Sequence, residues 1–200
     1  MKTYLSFISQ IDKSQLDLWF DSMSEEKKSS VRKLQKPQAA KQRIVADAAV
    51  RNALSEISGI RTEEIILSTD ESGKPYAVNV DVQFSVSHSE DAVICAVSDK
   101  TIGIDIEKIR DIRIKTAERF ATARELEYIG DDTVRLFEIW TLKEAYFKCI
   151  GTGLDSSVKE VSFSIKGDEI ECSEKGYKFS FLKTAEGYCC SICEKISDAG

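Results

Sequence analysis

The segment Phe137-Glu-Ile-Trp-Thr-Leu-Lys-Glu-Ala-Tyr-Phe-Lys148, followed by Cys-Ile-Gly-Thr-Gly-Leu, places apolar or aromatic side chains in almost every direction around a helix. A helix of that pattern holds only if the rest of the chain covers it on most sides. Lys143, Glu144 and Lys148 interrupt the pattern, and buried charge is costly unless it is paired, hydrogen-bonded or bound to a ligand. The segment therefore carries an internal ion pair or lines a site. Glu144 precedes Lys148 by four residues, the favourable order for a helical salt bridge. Lys143 projects to an adjacent face, where a simple exposed lysine is the plainest expectation.

Enough chain exists to cover such a helix: 200 residues, 42% of them apolar and only two of them proline, describe one large globular domain or two small lobes. A net charge of −6 argues against a global field that attracts nucleic acid or an anionic membrane. The longest apolar run, Ala92 to Val97, falls far short of the roughly 20 residues needed to span a bilayer. The N-terminal stretch, broken by Ser6 and Ser9, is not patterned as a signal peptide. A soluble, cytoplasmic protein is expected. Six cysteines lie mostly in apolar segments and read as small buried hydrophobes. Cys190-Ser-Ile-Cys193 has the spacing of a zinc knuckle or redox pair but lacks a second pair or a nearby histidine.

Taken in order, the spacing predicts a strand over residues 3 to 8 and a basic helix from Glu25 capped by Ser22 or Ser24. A long helix follows from Pro37 to about Ser58, with Gly59 as its stop. Between Glu25 and Arg43 stand seven basic and two acidic residues, a local reversal of the chain's charge. That cluster is a solvated face or an anion site. Ile65 to Leu67 is strand-like, Asp70 to Pro75 is a turn, and a meander covers Phe84–His88, Ala92–Ser98 and Thr101–Lys108. Thr122-Ala-Arg-Glu125 is a capping box. Asp131 or Asp132 opens the central helix, Gly151 ends it, and four short strands are expected near 158–165, 169–172, 177–182 and 187–193. The fold class is therefore α+β, with two similar, pseudo-duplicated lobes, each a small antiparallel sheet packed on a long helix. The lobes divide as residues 1–100 and 101–200, with an active site at their interface.

On the strand Thr101–Lys108, Ile102, Ile104 and Ile106 share one face while Gly103, Asp105 and Glu107 share the other. The two acids then sit roughly 6 to 7 Å apart. This is a strand with one solvated face, or a cation site. With Glu144 they make three carboxylates, the hard oxygen ligands that suit magnesium bound beside substrate phosphates. Lys148, His88, Ser87, Lys74 and the basic N-terminal helix offer anion contacts. A metal, a polyphosphate and a carboxylate base point to group transfer at phosphorus. Neither a Gly-x-x-x-x-Gly-Lys loop nor a Gly-x-Gly-x-x-Gly turn occurs.

Four motifs in order, Gly73-Lys74-Pro75, Phe84-Ser-Val-Ser-His88-Ser89, Ile102-Gly-Ile-Asp105-Ile-Glu107 and Trp140-Thr-Leu-Lys-Glu144-Ala-Tyr-Phe-Lys148, make the sequence resemble the 4′-phosphopantetheinyl transferase superfamily of the monomeric, surfactin-synthetase-activating type. The resemblance implies a monomeric enzyme that transfers the phosphopantetheine arm of coenzyme A to a serine of an acyl, peptidyl or aryl carrier protein and releases adenosine 3′,5′-bisphosphate. It further implies that Asp105, Glu107 and Glu144 hold magnesium and that Glu144, directly or through water, takes the serine proton. Lys148 would stabilise the diphosphate and the leaving group. His88 and Arg43, with Lys27, would contact the 3′-phosphate, Ser87 the phosphates, and the Gly73-Lys74 backbone the adenine. A binding module for coenzyme A or a nucleotide without chemistry, and a metal-dependent phosphohydrolase, are the alternatives.

Overall fold

The computed structural model describes residues 1–154 and 156–196. Its first half contains β1 (Lys2–Phe7), α1 (Lys13–Ser22), α2 (Glu25–Arg32), α3 (Pro37–Ser58), β2 (Leu67–Thr69), β3 (Pro75–Ala77), β4 (Gln83–Ser89) and β5 (Ala92–Ser98). The second half contains β6 (Ile102–Lys108), α4 (Ala123–Ile129), α5 (Thr133–Ile150), β7 (Phe163–Lys166), β8 (Glu169–Cys172), β9 (Tyr177–Phe181) and β10 (Tyr188–Lys195). Among the described residues no helix is long and apolar enough to cross a membrane.

Helix boundaries follow local chemistry. Ser24 caps α2 by accepting the Lys27 N–H, Pro37 starts α3, and Gly59 ends it in the left-handed region. Asp132 caps α5 by accepting from Val134 N and Arg135 N, and Gly151 stops it with φ 83°. Sequence spacing missed α1. Asp12 caps it through the Gln15 N–H, and its thin apolar stripe of Leu16, Trp19 and Phe20 packs against Ile44 and Val45 of α3. The strand expected from residue 158 begins only at Phe163, because a short 3₁₀ turn occupies Ser156–Lys159.

The molecule is α+β, with two three-stranded antiparallel sheets ordered β1-β5-β4 and β6-β10-β9. α3 covers the first through Val50, Ala53 and Leu54, packed on Cys95 and Val97. α5 covers the second through a core that includes Leu142, Ala145, Phe147, Cys189 and Cys193. The exposed-face alternative for β6 does not hold. Its isoleucine face packs on Ala92, Ile94 and Ala96 of β5, and its other face lies under α5. Residues three apart on a strand point to opposite faces. Cys190 accordingly joins the isoleucine cluster and Cys193 the α5 core, which separates the Cys-x-x-Cys pair and leaves all six cysteines free thiols.

Gly103 sets the distance between β6 and α5. A Cβ there would sit 2.0 Å from the Ala145 carbonyl oxygen and 2.4 Å from the Cys149 nitrogen, both backbone atoms that no rotamer change can move. Gly103→Ala must push the helix off the strand. The expected loss is about 1–3 kcal/mol of unfolding free energy, the range of overpacked core sites. A urea melt in which this variant stays within 0.5 kcal/mol of the parent, an estimate set against that range, would show the approach to be adjustable.

Candidate active site

A cleft of about 500 Å³ opens where α3, the β2–β3 turn, β4, β6 and α5 come together. Nine of the ten expected site residues line it: Arg43 from α3, Gly73 and Lys74 from the turn, Ser87 and His88 from β4, Asp105 and Glu107 from β6, and Glu144 and Lys148 from α5. The tenth, Lys27, is not among the lining residues. Its ammonium pairs with Asp47, which also receives Arg51 Nε at 2.8 Å, so α2 is clamped to α3 by the charge expected to meet phosphate.

Strand alternation delivers the acids. Asp105 is 4% exposed, and its Oδ1 accepts from Lys148 Nζ at 2.6 Å and from Ser87 Oγ at 2.7 Å, while Oδ2 is buried with no hydrogen-bond partner. Burial pushes this carboxyl up against the pull of Lys148 and Ser87. Glu107 Oε2 accepts from Ser89 Oγ at 2.6 Å and meets Arg110 Nη1 at 3.4 Å. Glu144 is raised to about 7, first by burial and then by the charges of Asp105 and Glu107, with Lys148 opposing. Lys148 turns across to Asp105 instead of pairing along the helix with Glu144. The helical ion pair is thereby set aside, and a carboxyl poised near neutrality is left facing two others.

The basic side is arranged as tightly. Burial, with Lys148 and Arg43 nearby, holds the His88 imidazole below its ordinary value despite Glu107. Gly73, at φ 85°, completes a turn in which Asp70 Oδ1 accepts from the Ser72 and Lys74 N–H groups. Lys74 Nζ donates to the Cys149 carbonyl at 2.7 Å, so the side chain expected to meet an anion instead caps the C-terminal end of α5. Among the described residues no three His, Cys, Asp or Glu side chains form a ready-made metal cage. Asp105 and Glu107 each have one oxygen already engaged by the protein.

Residues 10–100 match the family model described as 4′-phosphopantetheinyl transferase, N-terminal, and residues 101–193 match that of the 4′-phosphopantetheinyl transferase superfamily. Over 204 residues the chain is 32% identical to the 4′-phosphopantetheinyl transferase gsp of Aneurinibacillus migulanus, covering 94% of this chain and 83% of that protein. The chain belongs to the 4′-phosphopantetheinyl transferase superfamily. This transferase is also 28% identical, over 211 residues, to 4′-phosphopantetheinyl transferase Sfp of Bacillus subtilis (strain 168), covering 99% of this chain and 94% of that one. The crystal structure of Helicobacter pylori holo-[acyl-carrier-protein] synthase in complex with coenzyme A overlaps 46% of this chain and 96% of that chain, with a TM-score of 0.39 and 21% identity.

Three features in and around the cleft escaped the sequence reading. Lys143 is not exposed: it is fully buried, 3.1 Å from Glu125, and donates to the Val158 carbonyl at 2.8 Å and to that of Val161. Burial lowers its pKa while Glu125 opposes that shift. Ser85 and Ser89, expected only as neighbours of His88, reach across to β6, and Arg110 braces Glu107. The period-two repeat of Ser85, Ser87 and Ser89 was the signal available.

Proposed function

We propose that the transferase moves the 4′-phosphopantetheine arm of coenzyme A onto a serine hydroxyl of an acyl, peptidyl or aryl carrier protein, releases adenosine 3′,5′-bisphosphate and depends on magnesium. The site would lie between the lobes 1–100 and 101–200. The observation that carries this reading is a cleft holding three acids with unmet demand for a cation: Asp105 Oδ2 is buried without a partner, and Glu144 is raised to about 7 by burial and then by its acidic neighbours. These are hard oxygen donors facing a roomy cleft, so the residues fit magnesium, with Asp105, Glu107 and Glu144 as its holders. Bound there, magnesium would neutralise charge on the diphosphate.

The chain's own groups supply the rest. The serine oxygen forms a bond to the β-phosphorus of coenzyme A, and the bond from that phosphorus to the bridging oxygen breaks. The serine proton passes to the Glu144 carboxylate, directly or through water, and the electron pair leaves with adenosine bisphosphate. A base near neutrality serves this proton transfer best. Lys148, fixed on Asp105 and Ser87, places positive charge where the leaving phosphate gains negative charge. Arg43 and His88 would receive the 3′-phosphate, which favours the protonated, donating imidazole. Lys27 would reach it only by leaving Asp47. Ser87 would approach the diphosphate and the Gly73-Lys74 backbone the adenine.

The test is the intact mass of a panel of apo carrier proteins incubated with coenzyme A, magnesium and the transferase. One phosphopantetheine added per carrier, lost when EDTA replaces magnesium, is the expected result. No mass gain on any carrier, or a gain indifferent to EDTA, would count against the corresponding part of the proposal.

A further inference from the structure

β4 and β6 belong to different sheets, and serine hydroxyls join them where no backbone ladder does. The Ile104 N–H donates to Ser85 Oγ at 3.1 Å and the Lys108 N–H to Ser89 Oγ at 3.1 Å. Between them the same serine row meets the acid row. Ser87 Oγ donates to Asp105 Oδ1 at 2.7 Å, and Ser89 Oγ donates to Glu107 Oε2 at 2.6 Å. Both rows have the period of a strand, so one register aligns them. Each serine takes one oxygen of its acid. The other oxygen, Asp105 Oδ2 or Glu107 Oε1, has no hydrogen bond among the described residues.

We propose that Ser89 is a positioning residue for the metal-holding carboxylate of Glu107, a role that rests on the magnesium reading above. Its hydroxyl accepts the Lys108 N–H, which fixes the rotor, and so donates in a set direction to Oε2. That leaves Glu107 Oε1 as the oxygen for the cation. Arg110 also reaches Oε2, but at 3.4 Å and from a half-exposed side chain, so the buried serine holds the orientation. Ser85 is the internal control: it makes the same kind of bond to the β6 backbone and touches no carboxylate.

The experiment titrates MnCl2, read by electron paramagnetic resonance, into the whole protein saturated with coenzyme A, and compares the parent with Ser89→Ala, Ser89→Thr and Ser85→Ala. Thermal melts check that each variant is folded. Removing a group that orients a metal ligand typically costs about 10–100-fold in metal affinity. Ser89→Ala should lose about tenfold, Ser89→Thr should regain most of it, and Ser85→Ala should stay within about twofold while losing comparable stability, expectations scaled from the same range. Parent-like manganese affinity in Ser89→Ala, or an equal loss in Ser85→Ala, overturns the assignment and leaves the metal reading standing. A parent protein that binds no manganese overturns both.

Discussion

Glu144→Gln should make the protein more resistant to heat at pH 8 while removing most of its turnover. In the unfolded chain this carboxyl ionises near the ordinary glutamate value of 4.5, whereas in the folded chain it holds its proton to about 7. Folding therefore takes up a proton between those values, and stability falls as pH rises through the window until the full cost is present above about 7. The shift corresponds to about 3 kcal/mol, reduced to about 1–2 because the side chain is only partly shielded from water. For a chain of this size the glutamine variant should melt roughly 3–6 °C higher at pH 8. The gain should shrink toward zero near pH 5. Turnover should fall about 10²–10⁴-fold, as for loss of a general base. Calorimetry across pH 5–8 without magnesium or coenzyme A checks the first half, and the carrier-protein assay the second. A variant that melts below its parent at pH 8 would restore the helical ion pair that the position of Lys148 sets aside.

The neighbouring lysine should behave in the opposite way. Lys143→Met leaves Glu125 fully buried without its counter-charge and deprives the Val158 and Val161 carbonyls of a donor. Breaking one half of a buried pair typically costs about 3–5 kcal/mol, here roughly 10 °C in melting temperature. Glu125→Gln in the same chain should recover about half of that loss, because an unpaired charge then becomes an unpaired amide. The second carboxylate oxygen of Glu125 accepts the Phe163 N–H, so recovery falls short of complete. Lys148→Met should stop transfer and also lower the melt, because it leaves the buried Asp105 without its cation, but by less than Lys143→Met since Lys148 is itself partly exposed. Urea denaturation of the single and double variants measures the coupling. A Lys143→Met protein that melts within 2 °C of its parent, against the expected range, would mean that Glu125 has taken up a proton or a water in place of the lysine.

These two lysines mark where the sequence was legible and where it was not. Local chemistry was readable: Pro37 and Gly59 bound α3, Asp132 and Gly151 bound α5, and the alternation of β6 set three isoleucines against Gly103, Asp105 and Glu107. Spacing also placed Asp105 and Glu107 on one strand face and Glu144 and Lys148 on one helical face, and the packing of α5 on β6 brings the two faces into one cleft. Partnership across distance was not readable. Glu125 meets Lys143 because α4 packs on α5, Lys27 meets Asp47 because α2 packs on α3, and Lys74 meets the end of α5 from 75 residues away. Spacing gives the face on which a charge lies and says nothing of which opposing charge is nearest. α1 escaped for a related reason: one apolar stripe broken by Asp17 and Asp21 reads as loop until α3 supplies its other side.

The close approach at Gly103 separates two properties that enzymes often mix. Strand and helix touch backbone to backbone at that point, so the offset between Asp105 on one and Glu144 on the other is dictated by a hydrogen where other residues have a carbon. The rest of the cleft wall comes from α3, the β2–β3 turn and β4. Substitutions in α3 and the β2–β3 turn can reshape the cleft without respacing Asp105 and Glu144, whereas β4 touches the acids through Ser87 and Ser89. The spacing of the acids and the shape of the outer cleft thus depend on different parts of the chain, so one can vary while the other stays put.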